Sequence, residues 1–216
     1  MLVCVGIPTI DGKLHANLVD ALLADTLLGH AQGVHFLVKS EMGCSLIGAA
    51  RNKLARWFLD TPQADALIFV DSDISWKCGA LTALAQRPQD VVGGTYRAKT
   101  DDVKFHVRGD PQPEGDLLKV EGLPGGFIKI SRNAFERMTN AEPYTTDEGV
   151  AMRNWFPTEI VDGSLWGEDY GFCRLWGEVG GAVYLDPSIR LRHHDGFRAY
   201  TGDPAEWIKE QLNGAG

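Results

Sequence analysis

Ala66-Leu67-Ile68-Phe69-Val70-Asp71-Ser72-Asp73 is the stretch on which the fold turns. Its apolar run, Ala66 to Val70, suits a strand buried on both faces, as strands of a parallel sheet covered by helices are. In open α/β sheets ligands bind beyond the carboxyl ends of the strands, so Asp71 and Asp73 emerge at the functional edge. Acids at i and i+2 share one side of a strand. Where the strand frays, they can jointly hold a hard divalent cation that keeps positions open for a substrate phosphate. Asp also favours turns and helix caps, which is the competing reading of both residues.

Outward from this stretch, the pattern alternates. On the N-terminal side, Leu2 to Ile7 reads as a strand ended by Pro8, Leu14 to Leu28 as a helix, Val34 to Val38 as a strand and Leu46 to Leu59 as a helix. With Ala66 to Val70 this is βαβαβ. On the C-terminal side follow a short helix around Leu81 to Ala85 and a strand at Asp90 to Val92. Asp, Gly and Pro cluster around Gly109 to Gly115, so the stretch from Thr100 to Gly122 is expected to be a hairpin or a mobile loop. Phe127 to Ile130 is a strand, Ser131 caps a helix through Met138, and Gly167 to Val179 is a further helix. Late strands are expected at Ala182 to Leu185 and Ile189 to Leu191, and a closing helix at Asp203 to Leu212. The fold class is α/β, a mostly parallel, doubly wound sheet in one domain, without internal repeats or a linker.

Composition bounds the function. The 216 residues are 44% hydrophobic and 23% charged, as in an ordinary globular domain, and a chain this long buries about 70 to 75% of its unfolded surface. Cys4, Cys44, Cys78 and Cys173 form no CxxC pair, which excludes ribbon and finger zinc sites and fits free, buried thiols in a reducing compartment. No apolar run approaches the roughly 18 residues of a membrane span, and Met1 to Lys13 carries no basic leader. A cytoplasmic protein with no membrane partner is therefore expected. The 29 acidic and 21 basic residues leave a formal charge of −8, which offers no general attraction to phosphate backbones or anionic lipid and leaves nucleic acid only a local basic patch. Tyr96-Arg97-Ala98-Lys99 with Lys104, His106 and Arg108 is such a local cluster, which Arg190, Arg192 and Arg198 could extend. It reads as a solvated loop, a phosphate site, or a path for nucleic acid.

Two further constellations carry chemistry. Trp166-Gly167-Glu168-Asp169 opens a helix. Acids in a first turn favour the helix dipole; alternatively, one carboxylate takes a proton from an incoming hydroxyl while its neighbour orients the substrate. His193-His194-Asp195 follows a late strand, and alternation lets only one imidazole face a given site. An imidazole added to two carboxylates suits Mn²⁺. His193 is the favoured ligand, with His194 the alternate.

Together these segments resemble the GT-A nucleotide-sugar glycosyltransferases. Asp71-Ser72-Asp73 looks like their DxD motif, and Trp166-Gly167-Glu168-Asp169 is similar to the Trp-Gly-Gly-Glu-Asp stretch of β-1,4-galactosyltransferases and the Glu-Asp motif of family 2 enzymes. Pro8-Thr9, Ala50-Arg51-Asn52, Gly93 to Lys99, Gly125-Gly126 and the late histidine come in the expected order, over roughly Leu2 to Asp195. One Gly of the galactosyltransferase pattern is missing, and the Gln-x-x-Arg-Trp motif of family 2 is present only as Phe172-Cys173-Arg174-Leu175-Trp176. The likeness therefore fixes neither subfamily nor stereochemical outcome.

The resemblance implies a Rossmann-like GT-A domain with a small antiparallel acceptor-side portion, residues 1–99 forming the nucleotide-sugar half and 100–216 the acceptor and catalytic half. It implies Pro8, Thr9 and Asp11 near the nucleoside, Arg51 and Lys99 near the donor, and Asp71 at the ribose and metal. Asp73 and His193 complete the Mn²⁺ or Mg²⁺ site, and Gly125 and Gly126 border the transferred sugar. Asp169 takes the place of the base in inverting members, with Glu168 on the acceptor. The implied activity is transfer of a sugar from a nucleoside diphosphate, UDP foremost, to an acceptor hydroxyl. A hydroxymethylated pyrimidine in phage-type DNA, a glycan and a small molecule are the acceptors considered. The DNA case implies a phage-encoded enzyme in host cytoplasm and an aromatic-lined pocket for a flipped base, for which Trp155, Phe156 and Trp166 are candidates. A non-catalytic nucleotide-sugar binder and a metal-dependent phosphohydrolase are the competing classes. No P-loop, GxSxG or HExxH motif supports others.

Overall fold

The computed structural model describes residues 1–214. The N-terminal part runs β1 (Leu2–Thr9), α1 (Ala16–Ala31), β2 (His35–Met42), α2 (Ile47–Leu59), β3 (Ala66–Val70), β4 (Ile74–Trp76), α3 (Ala80–Gln86) and β5 (Val91–Gly93). The middle holds β6 (Gln112–Glu114), β7 (Leu117–Val120), β8 (Phe127–Ser131), α4 (Arg132–Arg137), β9 (Glu142–Thr145) and β10 (Ala151–Asn154). The rest is β11 (Glu159–Val161), β12 (Ser164–Trp166), α5 (Glu168–Glu178), β13 (Val183–Leu185), β14 (Leu191–Asp195), β15 (Arg198–Tyr200) and α6 (Pro204–Gly214).

The main sheet has the order β2-β1-β3-β8-β5-β13-β7-β6. β1 lies parallel to β2 and β3, and β5 parallel to β13, while β8 runs antiparallel between β3 and β5. Every strand but β7 and β8 points the same way, so the sheet is mostly parallel, as expected. β3 is buried on both faces. Leu67 and Phe69 pack with Leu54 and Phe58 of α2 and Phe172 and Trp176 of α5, whereas Ile68 and Val70 pack with Leu18 of α1 and Leu81 and Leu84 of α3. The two-residue period of a strand delivers alternate side chains to the two layers.

Three small antiparallel sheets accompany the main one. In one, β14 pairs with both β4 and β15, with His193 opposite Ile74 and Tyr200. The strand therefore begins at Leu191 and contains both histidines, where the local pattern had ended it at Leu191. Its extension depends on β4, a pairing distant in sequence that no local signal reports. In another, β11 and β12 are joined by Asp162-Gly163, both at positive φ (49° and 76°), the geometry of a type I′ turn. That turn leads the chain into Trp166 and the start of α5. β9 and β10 form the third.

The stretch from Thr100 to Gly122 holds the β6–β7 hairpin, and Ser131 caps α4 by accepting the Ala134 amide. The four cysteines are free. Cys4 and Cys173 are buried as expected. Cys78 is exposed and Cys44 partly so, because both lie in connections outside the two packed layers. No described helix is long and apolar enough to cross a membrane.

Candidate active site

A cavity of about 440 Å³ opens at the carboxyl ends of β1, β2 and β3. Pro8 and Thr9 line it from β1, Cys44, Ser45 and Ile47 from the β2–α2 connection, and Asp71, Ser72 and Asp73 from the end of β3. Tyr96, His106, Pro124, Asp169, Tyr170 and His193 close it. Residues far apart in sequence thus meet at the sheet edge that the strand-end rule designates.

Asp73 and His193 form one cluster. The β4–β14 pairing and a hydrogen bond from the His194 amide to the Asp73 carbonyl (2.9 Å) set them side by side, with Oδ2 of Asp73 3.4 Å from Nε2 of His193. Nδ1 of His193 lies 2.9 Å from the Arg97 carbonyl. A carbonyl only accepts, so Nδ1 carries a hydrogen and Nε2 is the nitrogen turned to Asp73. A proton on Nε2 joins the pair by a hydrogen bond, and a cation in its place would be held by both atoms. Lys99 supplies one positive charge, its Nζ 2.5 Å from Asp73 Oδ2. Burial would raise the Asp73 pKa, but hydrogen bonds to His193 and Lys99 outweigh it and bring it to about 2. The donor set, a carboxylate and an imidazole whose far nitrogen is fixed by a backbone carbonyl, fits Mn²⁺ or Mg²⁺.

Asp71 belongs to a second cluster. Arg51 is buried behind the cavity, where Nη2 donates to Asp71 Oδ1 (2.8 Å), Nε to Glu168 Oε1 (3.1 Å) and Nη1 to the Gly125 carbonyl (3.1 Å). Burial alone would lower the pKa of Arg51; Asp71 and Glu168 reverse that and raise it. The other Asp71 oxygen accepts from the Tyr96 hydroxyl at 3.2 Å. Both oxygens are thus engaged within the protein. Among the described residues no three His, Cys, Asp or Glu side chains stand together at metal-binding spacing. The expected trio is a pair, Asp73 and His193, with Asp71 held aside.

Asp169 stands in the first turn of α5. Oδ1 accepts the Tyr170 amide (2.8 Å) and Oδ2 the Gly125 amide (3.2 Å). Burial, followed by the charge of Glu168, raises its pKa to about 6 against these hydrogen bonds and Arg51. A carboxyl that titrates near neutrality and lines a cavity is equipped to accept a proton.

Of the residues expected at the site, Pro8, Thr9, Asp71, Asp73, Asp169 and His193 line the cavity. Arg51 and Glu168 stand behind it, paired with each other. Asp11 points to solvent in an ion pair with Lys13. Lys99 reaches the site through Asp73. Gly125 and Gly126 are required by close packing: a Cβ at Gly125 would lie 2.7 Å from Arg51 Cζ, and one at Gly126 2.6 Å from Asp71 Oδ2. His194 is buried, stacked on His15 and bonded to Ser75 Oγ (2.7 Å).

Trp155 and Phe156 pack in the core with Phe135 and Phe172, which leaves Trp166 alone of the aromatic trio at the surface. The basic path is neutralised in part: Asp73 pairs with Lys99, Asp203 with Arg190 and Asp101 with Arg198. Sequence reasoning left Tyr96, Cys44 and Ser45 without roles, although each follows a strand of the main sheet and the strand-end rule would have marked them.

No protein-family model matches the chain, and no curated protein matches it by sequence. Solved structures do match. A197 from STIV is 20% identical with a TM-score of 0.61, over 95% of this chain and 91% of that one. The catalytic domain of Drosophila β1,4-galactosyltransferase 7 in complex with xylobiose is 15% identical with a TM-score of 0.56, over 96% and 79%. A mutant of the same Drosophila enzyme, complexed with manganese, UDP-Gal and xylobiose, is 14% identical with a TM-score of 0.52, over 94% and 70%. The chain has a GT-A-like fold.

Proposed function

We propose that this GT-A-like chain is a glycosyltransferase that moves a sugar from a nucleoside diphosphate, UDP in the first instance, to an acceptor hydroxyl. The observation that carries the reading is the meeting of Asp73 and His193 with Asp169 in one cavity at the strand ends. A cation-binding pair and a carboxyl of raised pKa are the two elements this chemistry needs. The solved Drosophila enzyme with manganese, UDP-Gal and xylobiose supports the substrate class by shared fold.

In the reaction, the acceptor oxygen attacks the anomeric carbon as its proton passes to the Asp169 carboxylate. The bond from that carbon to the diphosphate oxygen breaks, and its electron pair leaves on the diphosphate. The transition state has oxocarbenium character, as in other glycosyl transfers, and a positioned base contributes about 10² to 10⁴ in rate. Asp73 and His193 would hold Mn²⁺ or Mg²⁺, which when bound supplies Lewis-acid neutralisation of the leaving diphosphate. Lys99, ion-paired with Asp73, would add positive charge beside the same phosphates. Pro8, Thr9, Cys44 and Ser45 border space for the nucleoside. Arg51 acts as a positioning residue, fixing Asp71 and Glu168 from behind.

Incubation with a panel of nucleotide sugars and Mn²⁺ tests this reading. Release of nucleoside diphosphate, with a matching mass gain on an acceptor, is the expected result. Nucleoside monophosphate with sugar phosphate would instead mark a phosphohydrolase. Binding of the nucleotide sugar without any release would mark a non-catalytic binder. Acceptors in the panel include hydroxymethylated DNA, glycans and simple sugars.

A further inference from the structure

Arg108 was part of the basic cluster in the sequence, yet the reaction above does not use it. Its guanidinium carbon lies 3.5 Å from the centroid of the Trp166 ring and 5.8 Å from that of Tyr170. Its backbone is fixed against Gly122, whose carbonyl accepts the Arg108 amide at 3.0 Å, and Tyr170 packs on Gly122. Among the described residues no carboxylate pairs with this guanidinium, whereas Arg51, Arg87 and Arg174 each have two carboxylate partners. A guanidinium stacked on an indole keeps its in-plane N–H donors at the edge, in the fork that matches a carboxylate or phosphate. Trp166 and Tyr170 bracket Gly167, Glu168 and Asp169, and Tyr170 itself lines the cavity. Arg108 and Trp166 stand outside the cavity's lining, and Tyr170, which lines it, joins their stack to the start of α5, so the free cation flanks the cavity beside the helix start that carries Asp169.

We propose that Arg108, stacked on Trp166, selects an acceptor bearing an oxyanion: a sugar that carries a carboxylate or a phosphate monoester near its attacking hydroxyl. The inference rests on the glycosyl-transfer reading for the word acceptor. Its test reads binding instead of turnover, so each can fail without the other.

Calorimetric titration with D-glucose, D-glucuronate and glucose 6-phosphate, in saturating UDP and Mn²⁺ to occupy the donor's phosphate site, compares neutral and charged sugars of one scaffold. Wild-type protein is expected to bind at least one of the two anions about tenfold more tightly than glucose, the strength of one charge-assisted hydrogen bond. Glucuronate against glucose 6-phosphate separates the two sources of charge. R108Q keeps the planar end and removes the charge; it should erase the preference at an unchanged melting temperature, while R108K retains part of it. Equal binding of all three sugars, no binding of either anion, or a preference that survives R108Q overturns the proposal. Parallel loss of neutral and anionic binding in R108Q would show a structural role and overturns it too.

Discussion

Oδ2 of Asp73 and Nε2 of His193 face each other across 3.4 Å, one brought by the end of β3 and the other by β14. The Arg97 carbonyl fixes the imidazole from its far side. A proton between them makes a hydrogen bond, and a cation in its place would be held by both atoms. Replacing His193 by Ala should therefore weaken Mn²⁺ binding by about tenfold or more, read by calorimetry. Chelation with EDTA should abolish nucleoside diphosphate release and added Mn²⁺ restore it; turnover indifferent to both would remove the metal from the mechanism.

Asp169 must be ionised to take a proton, and its pKa is raised to about 6 by burial and by Glu168. Turnover should accordingly rise between about pH 5 and 7, with Asp169→Asn slower by about 10² to 10⁴. The same shift has a consequence for stability. Because the folded value exceeds the unfolded one, the contribution of Asp169 is complete below about pH 4 and is lost as pH rises through about 6. Urea midpoints at pH 4.5 and 7.5 should differ less in Asp169→Asn than in the wild type.

Arg51 is 1% exposed and holds Asp71 and Glu168 together. Removing one member of a buried ionic group leaves the others uncompensated, at a cost of about 3 to 5 kcal/mol. Arg51→Met should lower the urea midpoint by a matching amount. Adding Glu168→Gln to it should recover part of the loss, and strict additivity of the two changes would argue against the network.

Two glycines of α5 predict opposite outcomes. A Cβ at Gly171 would lie 2.0 Å from the Pro157 carbonyl oxygen, rigid backbone that cannot yield cheaply. Gly171→Ala should destabilise by about 1 to 3 kcal/mol and disturb the first turn that carries Asp169. Gly177 is exposed, with nothing within 4 Å of its added Cβ. Gly177→Ala should stabilise by about 0.5 to 1 kcal/mol, since glycine loses more backbone freedom on folding. Thermal melts of the two variants should move in opposite directions.

The parallel half of the molecule was legible because each strand from β1 to β3 contains a local apolar run, although β2 continues past Val38 to Met42. Asp71, Asp73 and Asp169, which line the cavity, were marked in the sequence by their place at element ends. What escaped was non-local. The pairing of β14 with β4, the insertion of β8 and the retreat of Arg51 behind the cavity all depend on partners distant in sequence. Arg51 has the same composition signal as an arginine that meets a ligand; only its three partners distinguish it. Trp155 and Phe156, adjacent to a surface hairpin, gave no periodic hint that they belong to the core.

The position of β8 between β3 and β5 bears on how the protein is made. The strands on either side of it are both translated first, yet the edges that β3 and β5 turn towards each other stay unpaired until Phe127 to Ser131 has been made. A cut of the gene near residue 99 would thus yield two fragments that each lack the other's central strand. Such fragments would regain order only by reassociating.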